Sequence, residues 1–241
     1  MCYSSQIAAA YQQYLKLTGA TIDLDQFREV YGFRHAGASI RIPRAVDRWF
    51  SEPKNADERT IKELIDQYRT SAVAKLEGEV FVQRKRLADA ERKLQAKPTK
   101  AAGESKRIAG DKMEAALTRL SRLKATQSHP SDARIFPMHF APIVVQDGKR
   151  RVVRLARYHC RQAGKPASID RKFPGLYNAR RDNLEKFWRH EFAHSHAVML
   201  AESKPKDYEL SRLLRPEKYA ETARIARLQP YDPDKTVVLV I

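Results

Sequence analysis

Apolar residues recur at three- and four-residue spacing through Ile61, Leu64, Ile65, Tyr68, Ala72, Leu76, Val80, Leu87 and Leu94, with charges filling the positions between. That period places them along one face of a helix. Lys97-Pro98-Thr99-Lys100 and Gly103 interrupt the pattern, and a second helical stretch follows with Ile108, Met113, Leu117, Leu120 and Leu123. Two long helices joined by a short Pro-containing break predict an antiparallel, coiled-coil-like hairpin. Upstream, Ile7, Ala10, Tyr11, Tyr14 and Leu15 predict a helix ended by Gly19. Asp23 or Asp25 starts another through Phe27, Val30 and Tyr31, broken at Gly32 and near Gly37. Ile40, Ile42 and Pro43 read as a short extended piece, and Trp49 and Phe50 as core aromatics rather than a base-stacking platform.

From residue 132 the texture becomes short, β-branched and partly alternating: Ile135-Phe136, Ile143-Val144-Val145 and Arg151-Val152-Val153-Arg154-Leu155. Asp147-Gly148 between two such runs signals a β-hairpin. Arg151 and Arg154 are then candidates for a face turned to solvent or nucleic acid. His196 through Leu200 and Val237 through Ile241 read as further strands. The class is therefore α+β: a β-rich body, residues 1–53 and 128–241, interrupted by a helical hairpin at 54–127.

Charge sharpens this picture. The formal net charge is +17 and the pI about 10.0, which points to a polyanionic partner. No apolar run approaches the ~20 residues of a spanning helix, so nucleic acid fits better than a membrane. The first twenty residues lack the basic and apolar regions of a signal peptide. Cys2 and Cys160 are the two cysteines, too few for a disulfide framework, and a reducing, cytoplasmic setting is expected. On the hairpin, Arg84, Lys85, Arg86, Arg92, Lys93, Lys97, Lys100, Lys106 and Arg107 admit two readings: a solvated helix face, or an arm that contacts a nucleic-acid backbone.

Three stretches carry candidate chemistry. Phe173-Pro174-Gly175-Leu176-Tyr177-Asn178-Ala179-Arg180-Arg181 places a turn before an Asn and two arginines, and guanidinium forks suit phosphate. The chain starts Met1-Cys2. Trimming of Met1 would leave Cys2 with a free α-amine, of pKa about 7.7 to 8, beside a nucleophilic thiol. That pair condenses with an aldehyde to a Schiff base and then a thiazolidine. Finally, His190-Glu191-Phe192-Ala193-His194 is a literal H-E-x-x-H. On a helix it would offer His190 and His194 to zinc, with Glu191 as base, although the following segment reads as extended.

Met1-Cys2 together with Asn178-Ala179-Arg180 resembles the SOS response-associated peptidase family, whose members act in DNA damage and repair. Arg134-Ile135-Phe136-Pro137, Ala141-Pro142, Arg157-Tyr158-His159-Cys160-Arg161 and Tyr177 through Trp188 look like a long-insertion branch of it. The resemblance covers roughly residues 1–200 and fades over the last forty or so. It implies a barrel-like β-rich core with a groove for single-stranded DNA. It implies a hydrolase that trims its own Met1, covalent protein–DNA linkage to abasic sites, and lyase activity. By the same resemblance, Cys2 is nucleophile and crosslinking residue, Asn178 orients the sugar or the Cys2 amine, and Arg180 and Arg181 hold flanking phosphates. Glu209, in the downstream Tyr208-Glu209 pair, is the acid–base. No cofactor is implied, and a monomer, nucleoid-associated when DNA-bound, is expected. Two departures stand out. Tyr3-Ser4 replaces the Gly-Arg that follows Met-Cys in many members, and no His follows His196 where the family has a late catalytic one. Either the C-terminus is divergent or truncated, or His139, His159 or His196 serves instead. The competing readings are a zinc metallopeptidase and a non-catalytic basic DNA-binding protein.

Overall fold

The computed structural model describes residues 5–7, 10–162, 164–166, 168–173, 175–176, 186–190, 196–199 and 237–240. The chain divides into two compact units, residues 1–63 with 129–241, and residues 64–128.

The first unit starts with β1 (Ser5–Gln6) and α1 (Tyr11–Thr18), which ends as expected on Gly19 in the left-handed region at φ 60°, where glycine carries no Cβ penalty. After β2 (Thr21–Ile22), Asp23 caps α2 (Leu24–His35), accepting from the Gln26 N–H. The expected break at Gly32 is absent. The helix continues to His35 because Phe27, Val30 and Tyr31 before the glycine and Arg34 after it are buried, and that packing outweighs its entropic cost of about 1 kcal/mol. The sequence at Ile40, Ile42 and Pro43 forms no strand. It leads into the short α3 (Arg44–Asp47) and a 3-10 turn at Arg48–Phe50. Trp49 and Phe50 are buried, in ring contact with Tyr11, Phe27 and Tyr31. This aromatic cluster is core, as the sequence indicated.

The third strand, β3 (Arg134–Ile135), pairs antiparallel with β1, and Ile7 N–H donates to Ala133 C=O at 2.9 Å. β4 (Phe140–Asp147) and β5 (Arg150–Arg157) form the expected hairpin, with Asp147 opposite Arg150. Gly148 takes φ 57° at the first loop position, as a type II′ turn requires. β6 (His196–Met199) and β7 (Val237–Val240) are the late strands the sequence announced. The sheet order is β2-β5-β4-β6-β7, with β2–β5 and β6–β7 parallel and the pairs at β4 antiparallel. Among the described residues it is an open mixed sheet with β2 and β7 at its edges, and no closed barrel. Its centre is apolar on both faces: Ala141, Ile143, Val144, Val145, Val152, Val153, Leu155 and Ala156 are all buried. Gln26 clamps α2 to β5, donating to Leu155 C=O at 2.9 Å and accepting from Leu155 N–H at 2.8 Å.

The second unit is the helical hairpin. Its first helix, α4 (Ala56–Ala96), begins inside the first unit, capped by the Asn55 side chain. Glu58 N–H donates to Asn55 Oδ1 at 2.8 Å, and Glu58 Oε2 accepts from Lys54 N–H at 2.7 Å. Burial and the Glu58 carboxylate push the Tyr11 hydroxyl up to about 12. The second, α5 (Lys100–Lys124), is capped by Thr99. The seam departs from the large apolar residues that announced these helices. Beyond Glu58, Ile61 and Ile65 at the start of α4, the buried residues are Gln83 and Ala90 on α4 and Ala102, Ala109 and Ala116 on α5, seven apart on each helix. Leu117 is 43% exposed, and Leu87, Leu94, Ile108, Met113 and Leu120 are half-buried. Small side chains let the two backbones approach, which moves longer ones to the flanks. Arg69 to Leu123 C=O at 2.9 Å, Lys124 to Glu77 at 2.7 Å and Lys106 to Glu91 at 3.1 Å tie the helices along their length. No helix among the described residues is long and apolar enough to cross a membrane.

Candidate nucleic-acid site

The end of β5 runs directly into a cluster of cations. Arg157 closes the strand. Tyr158, His159 and Cys160 follow, all buried, and then Arg161. The chain here is held from two sides. Tyr158 N–H donates to His139 C=O at 2.7 Å, and Tyr158 C=O accepts from Met138 N–H at 2.9 Å. Met138 itself has φ 71°, a left-handed conformation costing roughly 1–2 kcal/mol outside glycine, which these bonds hold in place. Cys160 N–H donates to Leu176 C=O at 2.6 Å. The cation-rich segment is thus fixed to the residue two positions before Asn178.

Asp170, on the short α6 (Ile169–Lys172), organises the cluster. Its side chain is 1% exposed and accepts from Arg157, and from Arg161 through Nε at 3.0 Å and Nη2 at 2.8 Å. His159 Nε2 stands 3.5 Å from Asp170 Oδ1, and neither ring nitrogen makes a hydrogen bond. Burial would raise the Asp170 carboxyl, but hydrogen bonding from Arg161 and the charges of Arg157, Arg161 and His159 outweigh it and hold it below its usual value. Burial lowers His159, Asp170 opposes this, and the two arginines add to the lowering, so the imidazole is neutral at pH 7. Two guanidiniums against one carboxylate leave the group net cationic. Asp170 occupies only part of the Arg157 fork, and its remaining N–H groups suit an anionic oxygen such as phosphate.

Two further carboxylates pair with arginines, Asp132 held below its usual value and Asp47 raised above it by burial in spite of Arg34. Asp132 receives Arg48 and stands 3.8 Å from Arg44. Burial raises it, but the His129 N–H and both arginines more than offset that. Arg34, buried, stands 3.2 Å from Asp47. Arg154, a candidate for a face turned to solvent or nucleic acid, is instead engaged with Asp23 at 2.7 Å and Asp147 at 2.8 Å.

The residues singled out from the sequence divide sharply. Cys2, Asn178, Arg180, Arg181, Glu191, His194 and Glu209 lie outside the described residues. His190 is exposed, two positions after the buried Trp188. His139 is half-buried, lowered by burial and by Arg41, with its ring edge-on to Phe136 at 5.5 Å between centroids. Of the histidines that could replace a late one, His159 sits in an ion-pair cluster, and His196 starts β6. Asp170 was missed by sequence reasoning. The available signal was its isolation as the single acid among five basic residues between 157 and 172.

The described parts thus define an α+β body carrying an arginine–aspartate cluster, with a basic helical hairpin inserted in the chain. Comparison with protein-family models, with curated proteins and with solved structures finds no match.

Proposed function

We propose that the protein captures abasic sites in single-stranded DNA through Cys2. The observation that carries this is the joint occurrence of Met1-Cys2 and Asn178-Ala179-Arg180 in one strongly basic chain. Hydrolysis of the Met1–Cys2 bond, by the protein's own peptidase chemistry, frees the α-amine. The amine adds to the open-chain aldehyde of the abasic sugar, and water leaves to give a Schiff base. The Cys2 thiol then adds to the imine carbon and closes a thiazolidine. Glu209 shuttles protons between amine, hydroxyl and leaving water. Asn178 orients the sugar or the amine, and Arg180 and Arg181 hold flanking phosphates. β-Elimination from the Schiff base accounts for a lyase side activity. In this reading the open sheet is part of the family's barrel-like core.

Two arrangements support it. Pairing of β1 with β3 anchors the chain from the third residue after Cys2. Arg157 and Arg161 are locked by Asp170 on a segment bonded to Leu176, a supply of oriented positive charge near the motif in sequence. Covalent capture is independent of base sequence, and affinity comes from backbone contacts.

The test is incubation with a single-stranded oligonucleotide carrying one abasic site, read on a denaturing gel. Cys2→Ala is expected to abolish the shifted band and Asn178→Ala to slow its appearance at least tenfold, with chelator without effect. Turnover of a peptide that is lost on chelation or in His190→Ala, with no shifted band, would overturn the reading in favour of zinc chemistry. Salt-sensitive DNA binding with no covalent product would leave a non-catalytic DNA binder.

A further inference from the structure

Charge is distributed unevenly along the hairpin. Residues 84–107, around the turn, hold nine Lys and Arg against three Asp and Glu, whereas 64–83 and 108–128 hold six against five. Several distal cations are already engaged: Arg92 with Asp89, Lys106 with Glu91, Arg107 with Glu104 and Asp111. Lys85, Lys93, Lys97 and Lys100 are exposed and have no acidic partner among the described residues. Lys85 and Lys93 lie on the last part of α4, about 16 Å from Lys85 to its end at 1.5 Å per residue, Lys97 lies in the turn and Lys100 starts α5.

The same stretch exposes apolar surface. Phe81 is 72% and Val82 58% exposed. Both line a groove of about 680 Å³ between α4 and α5, together with Lys85, Lys93, Ala101 and Ser105. That volume lies within the ~300–1,000 Å³ of ligand pockets. Its α5 wall is low because the residues there are small. A polypeptide partner with an apolar helix would suit Phe81 and Val82 but not a rim of uncompensated lysines. Unpaired cations interleaved with an exposed aromatic ring match single-stranded nucleic acid, in which phosphates face the cations and a base stacks on the ring.

We propose that the distal half of the hairpin is a second binding surface for single-stranded nucleic acid, with Lys85, Lys93, Lys97 and Lys100 on its phosphates and Phe81 beneath a base. The surface is independent of the Cys2 chemistry, and its test uses DNA without abasic sites.

The experiment is fluorescence anisotropy of the full chain with a labelled 30-nucleotide oligothymidine across a salt series, beside a duplex of equal length. Lys85, Lys93, Lys97 and Lys100 changed together to Gln should flatten the slope of log affinity against log salt by about 3, at about 0.7 per lost phosphate contact. At 0.1 M salt the affinity should fall on the order of 100-fold. Phe81→Ala should weaken single-strand binding about tenfold with the slope unchanged, leave duplex binding unaltered, and be rescued by Phe81→Trp. Lys75, Lys112 and Arg119 changed to Gln form the control from the proximal half and should leave the slope in place. Far-ultraviolet circular dichroism checks that each variant keeps its helices. A wild-type slope in the distal variant overturns the proposal, as does an equal effect of Phe81→Ala on duplex. Distal variants that keep DNA binding but lose retention on poly-glutamate would assign the surface to an acidic polypeptide instead.

Discussion

The two units handle charge in opposite ways. In the body, two carboxylates are buried and each is shared by two arginines, Asp170 by Arg157 and Arg161 and Asp132 by Arg44 and Arg48, and the buried Arg34 pairs with Asp47. In the hairpin the ion pairs are exposed, as at Glu104–Arg107 and Glu77–Lys124, and a set of lysines near the turn has no acidic partner among the described residues. Burying a charge is costly unless it is paired, so removing one partner from a buried group leaves the other stranded. An exposed pair contributes little. Charge in the body is therefore part of the fold, and charge on the distal hairpin is available to a partner. Residue type follows the same division. Arginine, whose planar fork can serve one carboxylate and still present other N–H groups, dominates the body clusters, whereas lysine supplies the unpaired distal charge.

The comparison is broken most directly at its buried side. Asp170→Asn should destabilise the protein by about 3–5 kcal/mol, because two guanidiniums lose their counter-charge. Glu104→Gln, on the exposed side, should leave the denaturation midpoint unmoved. Equal effects from both in chemical denaturation would erase the distinction. A mid-sized effect is expected at the alanine seam. Ala109 is fully buried, and Ala109→Leu should overpack it at about 1–3 kcal/mol, read as lower hairpin protection in hydrogen exchange. Leu117→Ala on the exposed flank should change that protection far less.

The smallest effect sharpens the comparison by pH. His159 has a folded-state pKa below its ordinary 6.5, chiefly through burial, so the unfolded chain takes up a proton first as pH falls. Its contribution to stability is complete above pH 6.5 and declines below that value, levelling off once the folded-state pKa is passed. Asp170 acts in the same direction much further into acid, since its folded value lies below the ordinary 3.8. Stability measured from pH 7.5 to 5 should fall with acidity, and His159→Phe should remove much of that slope. A stability rising toward pH 5 would contradict the sign.

Periodicity made the hairpin legible before any coordinates, because two amphipathic stretches around Pro98 leave few alternatives. The hairpin at Asp147-Gly148 and the strands at His196 and Val237 were legible for similar local reasons. The alanine seam was not. Hydropathy draws attention to Leu117 and Leu120, while close helix approach depends on small volume. Nor were the ion clusters, since Arg157, Arg161 and Asp170 meet through loop geometry that no spacing rule encodes, and Arg154 is claimed by Asp23, distant in sequence. The proposed chemistry at Cys2, Asn178, Arg180, Arg181 and Glu209 was legible as motif alone, and those residues lie outside the described structure.

The central claim is that Cys2, freed of Met1, bonds covalently to an abasic sugar. Intact mass spectrometry of the protein after incubation with an abasic oligonucleotide tests it directly. The predicted species has the mass of the chain lacking Met1 plus that of the oligonucleotide less one water, and is absent from Cys2→Ala. Protein trimmed to Cys2 that recovers its own mass unchanged after the incubation would contradict the account.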